Sequence, residues 1–71
     1  MRIELLDMEY CIQEIKNSTK NIEKNKSKLE EFKGKPIYHT CLKAIEKDYE
    51  NIQENLINLD YFYNKLKTPL I

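Results

Sequence analysis

His39 and Cys41, two residues apart, are the pair in this chain whose types could most readily do chemistry. An imidazole and a thiolate can hold zinc, or can act as a nucleophile and its base. Residues two apart on a helix point to different sides, however, and His39 is the only histidine. Cys11 is the only other cysteine, so no second His/Cys pair exists to complete a zinc site. Gly34 is the sole glycine, which rules out a glycine-rich phosphate loop. The expectation is therefore no metal, no cofactor, no catalytic residues and no enzymatic activity.

A second constellation is electrostatic. Lys16, Lys20, Lys24 and Lys28 recur every four residues, with Asn17, Asn21 and Asn25 beside them. On a helix such like-charged neighbours repel by a few tenths of a kcal/mol per pair, roughly 0.2–0.5. A nucleic-acid backbone or another anion would relieve that repulsion, which makes the four lysines a candidate anion-binding face. Glu23, Glu30 and Glu31 interrupt the positive field, and no arginine or aromatic ring is interleaved for base stacking. Twelve basic residues balance twelve acidic ones, so bulk charge selects no partner. A solvated lysine face is the plain expectation, and nucleic-acid or anionic-ligand binding through residues 16–35 is its rival.

The run Leu59-Asp60-Tyr61-Phe62-Tyr63-Asn64 is similar to the Leu-Asp-x-Leu-Ile-Asn run of the small helical-hairpin phosphatases of the sporulation phosphorelay. The resemblance covers six residues and implies removal of phosphate from a response-regulator aspartate, with Asp60 as the residue to test. This chain departs from the family in carrying Leu56-Ile57 where those proteins have Ser-Gln. The distance from Gly34 to Asp60 is also longer than the family's turn-to-motif spacing. On this chain's own pattern, Asp60 is a solvated charge.

The elements that would carry these residues are helices. Tyr38, Leu42, Ile45, Tyr49, Ile52, Leu56, Leu59, Tyr63 and Leu66 recur at alternating steps of four and three. That average of 3.5 residues keeps one stripe facing a partner helix over its whole length. Leu5, Met8, Ile12, Ile15, Thr19, Ile22, Lys26 and Leu29 form a diluted copy in the first half. Between them lies Lys33-Gly34-Lys35-Pro36, where Gly34 suits the left-handed position past a helix end and Pro36 the first turn of the next helix. The chain reads as one all-α domain over residues 1–71, an antiparallel two-helix coiled-coil hairpin. Helices are expected over about 2–33 and 36–67, with the turn at 34–35 and Thr68-Pro69 stopping the second. Asn17-Ser18-Thr19-Lys20-Asn21 has middling helix propensity, and a break near Ser18 with a capped restart is the alternative. Ile52 and Tyr49 are expected to fill the space beside Thr19.

In such a hairpin Cys11 and Cys41 lie about 25 Å apart along the axis, too far for a disulfide, and both read as small buried hydrophobes. At 71 residues the chain can bury little; a core of this size supplies only about 3–5 kcal/mol unless it associates. Ile3, Leu6 and Tyr10 on helix one, and Ile57, Tyr61 and Phe62 on helix two, are apolar residues surplus to the seam, all near the open end. They are the candidate partner-binding residues, either for a homodimer of four helices or for another protein. The expectation is a small regulator, inhibitor or adaptor working by protein–protein contact. No stretch approaches the length of a membrane span and the N-terminus lacks a signal-peptide core, so the cytoplasm is the expected location. The bias toward Lys, Asn and Ile resembles that of an AT-rich coding genome, as in low-GC bacteria and their phages.

Overall fold

The computed structural model describes residues 3–67. Two helices, α1 (Ile3–Glu31) and α2 (Ile37–Lys67), pack against each other as a hairpin. Ser18 is level with Asn51 and Met8 with Leu59, so the helices run antiparallel. The result is a flat rod measuring 60 × 16 × 11 Å. The ends expected at residue 2 and at Thr68-Pro69 lie outside the described residues.

Helix α1 runs through the polar stretch without a break. Its side chains satisfy themselves within the helix instead of competing with it. The Thr19 hydroxyl donates to the Ile15 carbonyl at 2.7 Å, and Asn25 Nδ2 donates to the Asn21 carbonyl at 3.1 Å. Both bonds reach one turn back, to carbonyls that already accept a backbone N–H, so the ladder survives. Gln13 Nε2 adds a bond to Asn17 Oδ1 at 3.0 Å.

The turn is longer than the sequence suggested, because α1 ends at Glu31 and α2 begins at Ile37. The Lys35 N–H donates to the Phe32 carbonyl at 2.9 Å, closing a four-residue turn. Gly34 occupies its third position with φ of 82°, the positive value that a type II turn requires there. Only glycine takes that angle without a Cβ penalty. The Tyr38 N–H then bonds the Lys35 carbonyl at 3.0 Å and opens α2, with Pro36 set where no donor is needed.

The seam between the helices is rotated from the one that the apolar spacing predicts. Met8, Ile15, Ile22 and Leu29 on α1, and Tyr38, Ile45, Ile52, Leu59 and Leu66 on α2, are half-buried as expected. The alternate positions differ. Leu5, Ile12, Thr19 and Lys26 are exposed, and their places against α2 go to Glu4, Cys11, Ser18 and Asn25. On α2 the row Tyr49, Leu56 and Tyr63 is exposed, while Cys41, Asp48, Asn55 and Phe62 turn inward. Tyr49 therefore does not fill space beside Thr19; Asn51 bonds Ser18 instead. Each helix has turned about 50°, one step of the four–three pattern, away from its apolar stripe. Small side chains explain the choice. Cys11, Ser18 and Cys41, together with the half-buried Ala44, take little room between the helices, where a row carrying Tyr49 would take more.

Candidate interaction surface

The rotation leaves the hairpin with almost no core of its own. Among the described residues the only buried apolar side chains are the thiols of Cys11 and Cys41, 3% and 7% exposed. Ser18 and Asn55 are the buried polar ones, and no large side chain is fully buried. Both cysteines are free, as their separation along the rod requires. Burial, with a smaller contribution from the Asp7 carboxylate, pushes the Cys11 thiol above its ordinary value. A thiol so placed ionises less readily and is a poor nucleophile.

Ser18 and Asn55 belong to a polar network at mid-hairpin. Asn51 Nδ2 donates to Ser18 Oγ across the interface at 2.7 Å. Asn55 Nδ2 donates to the Asn51 carbonyl at 2.8 Å and more weakly to its Oδ1 at 3.3 Å. No buried side-chain nitrogen or oxygen among the described residues lacks a partner. Such a bond fixes the register of one helix against the other, because sliding by a turn would strand it. The sequence gives a weak hint of this network in the Asn51 and Asn55 pair, four apart. The expected seam had no place for Ser18 or Asn55, so the pair was not expected to matter.

The rows turned outward fall on one broad side. The helices are antiparallel and each is rotated in the same sense about its own direction. A residue one step past the seam on α1 therefore emerges on the same side as its counterpart on α2. Met8, Leu56, Leu59, Asp60 and Tyr63 line one shallow groove of about 340 Å³ on this side. The Ser18–Asn51 bond lies toward the other. Along this side run Leu5, Ile12, Thr19 and Lys26 from α1, and Leu42, Tyr49, Leu56 and Tyr63 from α2. The opposite side carries Asp7, Glu14, Asn21 and Lys28 from α1, with Ala44, Asn51, Asn58 and Lys65 from α2. The first side is apolar along α2 and at the open end of α1, and polar on α1 toward the tip; the other side is polar along both helices at all of these positions except Ala44.

The six residues singled out as surplus are placed differently. Ile3, Leu6, Tyr10, Ile57 and Tyr61 are all exposed and Phe62 is half-buried. They do not share one face: Leu6 and Ile57 point away from each other on the backs of the two helices, by the helical repeat. Tyr61 and Phe62 do meet, edge to face, with centroids 5.4 Å apart, and Lys65 Nζ sits 5.3 Å from the Tyr61 ring. The Tyr10 hydroxyl donates to Glu14 Oε1 at 3.3 Å, and that carboxylate pushes the phenol above its ordinary value. Around residues 3–12 and 56–66 the hairpin is apolar on several sides at once, the mark of a helical segment meant to be enclosed.

Compared with known proteins, the chain matches no family model, no curated protein and no solved structure.

The remaining candidates are on the surface. Lys16, Lys20, Lys24 and Lys28 are all exposed, but each four-residue step turns about 40°, so the ladder winds round α1. His39 is exposed beside the Tyr38 ring, with centroids 5.9 Å apart, while Cys41 is buried, so the two do not meet at one site. No group of three or more metal-capable side chains occurs among the described residues. Asp60 is exposed at the lip of the groove, and Asn64 Nδ2 donates to its Oδ2 at 3.4 Å. No helix among the described residues is long and apolar enough to cross a membrane.

Proposed function

We propose that this chain is a protein–protein interaction module, a small cytoplasmic regulator, inhibitor or adaptor that acts by contact and not by catalysis. In this reading it works as a dimer of hairpins in a four-helix arrangement. The outward residues Ile3, Leu6, Tyr10, Ile57 and Tyr61 at the open end, with the half-buried Phe62 beside Tyr61, then serve a client protein, with the aromatic rings as anchors. One observation carries the reading: eleven large apolar side chains are exposed among the described residues, while none is fully buried. A two-helix hairpin gains its stability from apolar burial, so that surface is there to be covered. Light scattering in line with size exclusion, in reductant and over a wide concentration range, tests it. A dimer mass is the expected result; a well-folded monomer at every concentration would sink the dimer.

A second reading places an anionic ligand or nucleic acid on Lys16, Lys20, Lys24 and Lys28, favoured by the exposure of all four. It requires DNA or RNA binding that weakens steeply with salt and is lost on Lys20/Lys24/Lys28→Glu. An absence of filter binding at low salt would remove it. The resemblance around Asp60 supports a third, aspartyl-phosphate hydrolysis, which Asp60→Ala would abolish in an assay on a phosphorylated response regulator.

A further inference from the structure

The broad apolar side has geometric properties that go beyond its exposure. On α2 the apolar stripe is the pair of rows 38/45/52/59/66 and 42/49/56/63, while the rows against α1 are 38/45/52/59/66 and 41/48/55/62. The centre of the stripe thus points about 50° away from the neighbouring helix. In a square of four helices, the bundle axis lies about 45° from the line to either neighbour. Each helix of this hairpin is turned to the angle that a four-helix core needs, and half of that core is missing.

Area and symmetry indicate what supplies the other half. A side of 60 × 16 Å offers on the order of 900 Å², against the roughly 800 Å² that each partner contributes to a stable interface. A two-fold interface must also match itself, so that a residue meeting another is met by it in return. Helix α2, residues 37–67, has its midpoint at Ile52. Two copies crossing antiparallel there bring Leu42 to within one residue of level with Tyr63, and Tyr49 with Leu56, a leucine beside each ring. On the inner row Ile45 meets Leu59, and Ile52 meets its own counterpart.

We propose that a second copy of this chain covers the side formed by Leu5, Ile12, Leu42, Tyr49, Leu56 and Tyr63, with the two Gly34 tips at opposite ends. This rests on the interaction-module reading and assigns the dimer to this side, leaving the open-end residues on the helix backs for a client.

The double variant Tyr49→Glu/Leu56→Glu should weaken the dimer at least about 100-fold in dissociation constant, since it would bury four unpaired carboxylates per dimer. Leu6→Glu/Ile57→Glu, on the helix backs, should leave the dimer mass and its dissociation constant unchanged. Because the first variant could unfold with its interface, Gln53→Cys supplies an independent readout. Gln53 is exposed and one residue from the two-fold point, so mild oxidation should link two copies in high yield. In the arrangement with both tips at one end, Gln53 lies beside helix α1 of the other copy and no such link forms. A dimer that survives the Tyr49/Leu56 change, one that dissociates equally on the Leu6/Ile57 change, or a wild-type dimer that Gln53→Cys fails to cross-link overturns the proposal. Those outcomes leave the interaction-module reading standing. A monomeric wild type would overturn this inference and the dimer together.

Discussion

Diluting the protein tenfold is expected to lower its thermal unfolding midpoint by about 5 °C. The reason is the small core. A lone hairpin holds its helices together with two buried thiols, a buried serine, a buried asparagine and a ridge of half-buried aliphatic side chains. That is little burial to set against the backbone entropy of ordering some sixty residues at about 1–2 kcal/mol each, once hydrogen bonding nets out small. Folding should therefore be coupled to association. A system passing from folded dimer to two unfolded chains loses about 1.4 kcal/mol of apparent stability per dimer for each tenfold dilution. Circular dichroism melts over a hundredfold range of concentration should trace a shift of about 10 °C. A midpoint indifferent to concentration would show that one hairpin is stable alone.

Ser18→Leu is expected to be the most damaging single change, costing about 2–4 kcal/mol. Ser18 is 3% exposed between the helices, and its hydroxyl accepts from Asn51 Nδ2 at 2.7 Å. A leucine there forces the backbones apart, a cost of about 1–3 kcal/mol, and leaves the Asn51 amide without its partner for about another 1 kcal/mol or more. Chemical denaturation should show the loss directly. The apolar spacing alone predicts the opposite sign, since leucine has the better helix propensity and extends the hydrophobic surface. Ser18→Ala separates the two contributions, because it removes the bond without the bulk and should cost only about 1 kcal/mol. If Ser18→Leu stabilises the protein, the close approach along the small-residue row is wrong.

The hairpin itself was legible in the sequence because its signals are local. A four–three apolar rhythm specifies helix and partner stripe together, and a lone glycine followed by proline specifies where the chain reverses. The polar stretch around Ser18 was harder. Its propensity permitted a break, and the outcome rested on whether Thr19 and Asn25 would bond one turn back along the helix, which a residue count does not decide. The turn was misjudged by two residues at the end of α1 for a related reason, because the Lys35-to-Phe32 bond needs residues 32–35 out of the helix.

The candidate surface shows the limit more sharply. Ile3, Leu6, Tyr10, Ile57, Tyr61 and Phe62 were singled out because they fell outside the expected seam, and that seam was assumed to be the contact between the two helices. By itself the sequence determined two amphipathic helices, their reversal at Gly34, an apolar stripe running the length of the second and a diluted one on the first. Only the tertiary structure decided which edge of that stripe faces the neighbouring helix. Periodicity fixes where a stripe lies on a helix, but distance between helices depends on side-chain volume across the contact. There Cys11, Ser18, Cys41 and Asn55 pack closer than the large apolar row on the stripe's far edge would allow.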